Sequence, residues 1–234
     1  MFNIFKKKLK PDGDTVNLSK RTLVCLVLDE SGSMVHLTKD TIGGVNNFMD
    51  SFKQDHGDEV LFSFYTFDSA YDKIPVRTVY SHTPIQKVEH ISSKTYRPAG
   101  GTPLYDAVGQ AIRDMRKEAK DGELVIFAIL TDGAENSSRE YNAAGIKQDI
   151  QALEKKGWKF SFLGVGLDAF SAYQNMGASL INSFNLGASG QAISNTYGAM
   201  AANSVTMRSA YTKSGIQATA DLNVILDKDR NNIN

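Results

Sequence analysis

Leu23-Val24-Cys25-Leu26-Val27-Leu28-Asp29-Glu30-Ser31-Gly32-Ser33-Met34 is the stretch on which the reading of this chain turns. Six apolar residues in a row stop at a carboxylate, and a loop of small hydroxylated residues around a glycine follows. Near-continuous apolarity, as opposed to strict alternation, marks a strand covered on both faces, as strands are in parallel sheets. Asp29, Ser31 and Ser33 alternate, so an extended loop sends three oxygen-bearing side chains into one crevice. In an open α/β sheet that crevice, beyond the carboxyl ends of the strands, is where ligands sit.

Working outward, two more runs of the same kind, 124–130 and 158–165, read as buried strands. A fourth, 60–67, alternates in part through Phe62, Phe64 and Tyr65. Helical spacing of three and four separates them: Ile42, Val45, Phe48, Met49 and Phe52 within 37–54, then Leu104, Val108, Ala111, Ile112 and Met115 within 104–120. Ala144, Ile146, Ile150 and Leu153 repeat it within 141–156, which Gly157 closes. Thr102 is expected as the N-cap of the second helix and Pro103 as its first residue. Strands alternating with helices predict a doubly wound, mostly parallel central sheet with helices on both faces, Rossmann-like in architecture. Between 72 and 90, the alternation of Ile74, Val76 and Val79 predicts an antiparallel strand pair added at one edge, so that the central sheet carries one antiparallel edge strand. Later segments predict a helix over 169–176, a last strand over 180–184, and a small-residue helix over 190–211 with Ile193, Tyr197, Met200 and Val205 on one side. A flexible basic leader (1–20), one domain with a C-terminal helical extension (21–213) and a polar tail (214–234) complete the organisation.

The 234 residues carry 26 basic and 26 acidic side chains. With no net field, binding to nucleic acid or lipid through bulk charge is not expected, and any interaction must come from a local site. No run reaches the ~20 apolar residues that span a bilayer. Cys25, the single cysteine, sits inside the first strand, which fits an inert thiol and a cytoplasmic, reducing location.

Two other segments are expected at the same sheet edge as Asp29: Thr131-Asp132-Gly133 after the strand at 124–130, and Gly100-Gly101-Thr102-Pro103 leading into the second helix. The gathered set is Asp29, Ser31, Ser33, Thr102 and Asp132, two carboxylates and three hydroxyls, with neither His nor Cys. Such hard oxygen donors suit Mg²⁺, Mn²⁺ or Ca²⁺ and disfavour zinc. Taken singly, Asp132-Gly133 is an ordinary turn pair and Thr102 an ordinary cap; the combination is what carries chemistry. Arg97 and Tyr96, just before Gly100, flank the crevice, and with Glu135 they are read as rim contacts for a partner. Glu30 is read as solvated or on that rim as well.

Asp29-x-Ser31-x-Ser33, then Thr102, then Asp132-Gly133 resemble, in order and spacing, the metal-ion-dependent adhesion site (MIDAS) of the von Willebrand factor A domain family. The similarity covers about 22–165, and segments such as Thr131-Asp132-Gly133-Ala134-Glu135-Asn136 look most like small stand-alone A-domain proteins of bacteria and their phages. The resemblance implies that Ser31 and Ser33 ligate the ion directly, that Thr102 does so directly or through water, and that Asp29 and Asp132 act mostly through water or by orienting hydroxyls. It further implies that a partner's Asp or Glu carboxylate completes the coordination. The expected function is thus a non-enzymatic, metal-dependent protein-binding module loaded with Mg²⁺, with Mn²⁺ or Ca²⁺ as substitutes. Self-association through Asp227 or Asp229 of the polar tail is a variant of the same idea.

The alternative from another class is a Mg²⁺-dependent phosphohydrolase or phosphoacceptor using Asp29, which ends a strand as a phosphorylated Asp does. Against it, haloacid-dehalogenase-type phosphatases need a second Asp two residues on, where Ser31 stands. Nucleotide binding fares worse: neither Gly43-Gly44 nor Gly100-Gly101-Thr102 has the spacing of a phosphate loop followed by Lys-Ser or Lys-Thr.

Overall fold

The computed structural model describes residues 21–54, 59–71, 74–177, 183–186 and 190–214. The expected leader and the polar tail with Asp227 and Asp229 lie outside these residues. Six strands form one sheet: β1 (Thr22–Asp29), β2 (Val60–Phe67), β3 (Val76–Pro84), β4 (Leu124–Thr131), β5 (Lys159–Val165) and β6 (Ser183–Leu186), in the spatial order β3-β2-β1-β4-β5-β6. All neighbours are parallel except β2 and β3. Five α-helices among the described residues accompany them: α1 (Thr38–Lys53), α2 (Leu104–Glu118), α3 (Ala143–Glu154), α4 (Gly166–Asn175) and α5 (Gly190–Ser214). This is the doubly wound α/β sheet the sequence predicts. The sheet order reverses direction at β1, which puts the loops after β1 and β4 side by side at the carboxyl edge, the position where such folds bind ligands.

The apolar runs are explained by coverage on both faces. Along β1, Val24, Leu26 and Leu28 join one core while Leu23, Cys25 and Val27 join the other, as the two-residue period of a strand requires. The first core packs under α1 and α5 through Phe48, Phe52, Tyr197 and Met200. The second packs under α2, α3 and α4 through Val108, Ile112, Ile150 and Tyr173. Trp158 belongs to the second, its indole stacked on Phe127 at 5.8 Å. Burial drives the Cys25 thiol pKa well above its ordinary value, so the thiol stays protonated and inert.

Two local expectations are corrected. The described part of segment 72–90 yields the one antiparallel edge strand expected of the sheet, β3, but no second strand beside it. Pro84 has no N–H to extend the ladder, and Ile85, Val88 and Ile91 turn down into the first core. Asn46 of α1 then takes the place of a partner strand, donating from Nδ2 to Ile91 O (3.0 Å) and accepting from Ile91 N (2.9 Å). Thr102 does not cap α2 either. The helix begins at Leu104 with Pro103 in the cap position and no side-chain cap bond from it. Its free amides are met from the loop after β4: Glu135 Oε2 accepts from Tyr105 N (2.9 Å) and Ser138 Oγ from Asp106 N (3.0 Å). Of the expected last strand, only its end overlaps β6, and 180–182 lie outside the described residues.

The face between α1 and α5 depends on close approach at one glycine. A Cβ on Gly44 would lie 2.3 Å from the ring of Tyr197, whereas one on the neighbouring Gly43 would meet nothing within 4 Å. Gly44→Ala is therefore expected to cost about 1–3 kcal/mol by forcing α5 outward. Gly43→Ala should stabilise by roughly 0.5–1 kcal/mol through helix propensity alone. Urea unfolding of the two single variants, moving the midpoint in opposite directions, checks the packing.

Candidate metal centre

β1 delivers Asp29 to the sheet edge fully buried. Its two carboxylate oxygens are occupied by different parts of the chain: Oδ1 accepts from Ser31 N at 2.7 Å, and Oδ2 accepts from the Thr131 hydroxyl at the end of β4. The strand ends are thereby tied together, and with them the two motifs. Ser31 Oγ lies 3.1 Å from Ser33 Oγ, and Ser33 Oγ donates to Asp132 Oδ1 at 2.5 Å. The absent Cβ of Gly133 marks where the third segment arrives: it would lie 3.4 Å from Ser33 Oγ and 3.5 Å from Thr102 Oγ1. Thr102 is held there by a reciprocal pair with Asn136, its N donating to Asn136 Oδ1 (2.8 Å) and its carbonyl accepting from Asn136 N (3.2 Å). All five oxygen-bearing residues named from the sequence converge at one edge, with Ser33 exposed and Asp29, Ser31 and Thr102 buried.

The donor set fits a hard divalent cation. A Mg²⁺ ion with bonds of about 2.0–2.1 Å places adjacent ligand oxygens about 2.9 Å apart. The Ser31 and Ser33 hydroxyls, 3.1 Å apart, need little movement to share one. Among the described residues no group of three His, Cys, Asp or Glu side chains gathers, so negative charge at the centre is sparse. Burial raises the Asp29 carboxyl pKa to about 6 despite the hydrogen bonds from Thr131 and Ser31. Asp132 is likewise raised by burial, which its bond from Ser33 and the proximity of His36 only partly offset. Both shifts arise from burial, which a positive charge bound nearby would offset.

As a nucleophile toward phosphorus, Asp29 is poorly placed: it is fully buried and both of its oxygens already accept hydrogen bonds.

The expected rim is corrected. Tyr96 is buried, and its hydroxyl donates to the backbone carbonyl of Asp29 at 2.7 Å, so it supports the site from beneath. Glu135 spends its carboxylate on Tyr105 N, Ser137 N, Ser138 N and Ser138 Oγ, locking the loop after β4 onto α2. Glu30 is also buried, not solvated. It points to the opposite side of β1 from Asp29 and accepts from Arg77 Nη2 (2.9 Å), the Tyr71 hydroxyl and Arg97 N. Only Arg97 of the three rim residues is exposed.

Sequence reasoning missed the lattice of backbone bonds that holds the 96–102 loop. Ala99 N donates to Glu30 O (3.0 Å), Gly32 N to Gly100 O (2.9 Å) and Ser69 N to Gly101 O (3.0 Å). A Cβ on Gly32 would sit 2.8 Å from Ala99 O, so this crossing requires glycine. The Asp-x-Ser-Gly-Ser spacing carried that signal, but its partner strand could not be named without the fold.

The von Willebrand factor type A domain family matches residues 24–216. No curated protein gives a significant match. Among solved structures, the von Willebrand factor domain of the type V pili tip protein Mfa5 from Porphyromonas gingivalis aligns with a TM-score of 0.58 at 12% identity, over 79% of this chain and 95% of that one. Proximal thread matrix protein 1 from the mussel byssus, in a structure with a zinc-occupied MIDAS motif, gives 0.55 at 17% identity over 79% of this chain. This chain spans only 46% of that protein's length. The manganese-loaded TRAP protein of Plasmodium vivax gives 0.51 at 12% identity, over 77% and 72% of the two chains. Identities this low speak for a shared fold, and the family match runs over most of the sequence. The strand order, the oxygen cluster at the carboxyl edge and that match together place this chain in the von Willebrand factor type A domain family.

Proposed function

We propose that this protein is a non-enzymatic binding module that holds one divalent cation, Mg²⁺ by preference with Mn²⁺ or Ca²⁺ as substitutes, and uses it to capture an Asp or Glu side chain of a partner protein. The observation that carries the reading is the convergence of Ser31, Ser33, Thr102 and Asp132 on an exposed edge, with Asp29 immobilised beneath them. When bound, the cation supplies an electrophilic position that a carboxylate can occupy. Ser31, Ser33 and Thr102 are the hydroxyl donors that would hold it, with Asp132 beside Ser33. Asp29 orients: its oxygens are committed to Ser31 N and Thr131, which fixes the serine loop against β4. With few anionic oxygens in the set, a bound ion keeps much of its charge for an incoming acid. A site crowded with carboxylates would hold metal more tightly and repel that same acid. Low net charge leaves capture to this local chemistry.

Protons compete with metal at such a site, and the sign follows from Asp29. Its carboxyl ionises at about 6 when folded against 3.8 in an ordinary setting. In the metal-free protein the group's contribution to stability is therefore complete below about pH 3.8, is lost as pH rises through about 6, and stays lost at neutral pH. Asp29→Asn in EDTA is expected to gain on the order of 2 kcal/mol near neutral pH and almost nothing at about pH 4. Millimolar Mg²⁺ should reverse the order, stabilising the native protein and not the variant. Thermal or urea unfolding under the four conditions checks the sign.

Metal binding itself is read by isothermal titration with Mn²⁺, expected to show one site per chain. Ser33→Ala, which removes an exposed hydroxyl and no packing, should weaken it by about 10–100-fold while unfolding as the native protein does. Retention of unaltered Mn²⁺ affinity by Ser33→Ala would remove the metal from this function. Capture of a partner that persists in EDTA would do the same.

A further inference from the structure

On the other side of β1 from Asp29, at the same carboxyl edge of the sheet, lies an open cleft of about 590 Å³ whose walls include Glu30, Tyr71, Arg77, Lys94, Thr95 and Arg97. Three cations face one carboxylate there, in a chain whose charges as a whole balance at 26 against 26. That carboxylate is already committed. Glu30 is buried and pairs with Arg77 at 2.9 Å, while also accepting from the Tyr71 hydroxyl and Arg97 N. Arg77 is in turn fixed by Thr66 Oγ1 (3.2 Å), by the Thr95 carbonyl (3.2 Å) and by the Tyr71 ring, whose centroid lies 5.0 Å from its guanidinium carbon. The Glu30–Arg77 pair thus forms a rigid, internally neutral floor. Lys94 and Arg97 remain, both exposed and neither in an ion pair with any described residue.

Two cations with no ion-pair partner among the described residues, over a preorganised floor in a cleft of ligand size, attract a negatively charged group. We propose that this cleft is an oxyanion-binding site, taking a carboxylate or phosphate between Lys94 and Arg97 independently of the metal centre. Arg97 supplies a planar donor fork to such a group and Lys94 a point charge. The oxyanion has two sources: a free small anion, or an acidic segment of a protein whose other acid engages the metal centre on the same edge.

The test runs in EDTA, so that failure of the metal reading leaves it untouched. Isothermal titration of the full chain with inorganic phosphate and, separately, with a hexaglutamate peptide is expected to give saturable binding of at least one. The Lys94→Glu/Arg97→Glu double variant should lose at least about tenfold in affinity, since each charge-assisted contact is removed and reversed. The charge-conserving Lys94→Arg/Arg97→Lys variant should bind nearly as the native protein does. Phosphate as the better ligand identifies a free anion, and the peptide as the better ligand identifies an acidic segment. Binding of neither, or binding that survives the charge reversal, overturns the proposal.

Discussion

A buried carboxylate organises this molecule's functional edge. Asp29 ends the central strand where water does not reach it, and its two oxygens are taken by the Ser31 amide and the Thr131 hydroxyl. Those bonds join the ends of β1 and β4, so that Ser33 meets Asp132 although 99 residues separate them in the chain. Desolvation makes this placement costly for an ionised acid, and the raised pKa of about 6 is the sign of it. Stability is given up locally to fix a geometry, a trade that is typical of sites that await a positive charge.

Consecutive acids serve opposite faces of the same strand end. Asp29 serves the oxygen cluster, and Glu30 serves the floor of the basic cleft through Arg77 and the Arg97 amide. Between them runs the 96–102 loop, bonded to β1 through Tyr96 to Asp29 O, Ala99 to Glu30 O and the parallel bridge of Ser31 with Ala99. The loop that presents Thr102 is therefore held by the strand that presents the serines. Rigid backing of this kind places donors within a few tenths of an ångström, which loosely supported loops do not achieve.

Charge is used sparingly at the oxygen cluster. Three of the five side chains in the cluster are hydroxyls, and its two acids are anchored by hydrogen bonds, a composition that would leave a bound ion much of its charge. Glu135, which looked available, is consumed in holding the loop after β4 onto α2, and Asp106 of α2 returns the favour by accepting from the amides of Arg139, Glu140 and Tyr141. Acidic residues near the site thus act on structure first.

The layered sheet and the five oxygen-bearing residues were legible in the residues alone, because strand burial on two faces and the segments Asp29-x-Ser31-x-Ser33, Thr102-Pro103 and Asp132-Gly133 are local patterns that neighbouring residues express directly. β2 was legible to the residue at 60–67, and Cys25 read correctly as packing. What Tyr96, Glu30 and Glu135 do emerges on folding, since each has a partner 30 or more residues away. An exposed-looking polar residue in a loop becomes buried when a second loop crosses it, and sequence spacing carries no record of that crossing. The same holds for the missing cap at Thr102 and the single strand at Val76–Pro84, where Glu135 and Asn46 satisfy the backbone from elsewhere in the chain. Local patterns set what each segment prefers, and long-range hydrogen-bond satisfaction sets which of those preferences survive.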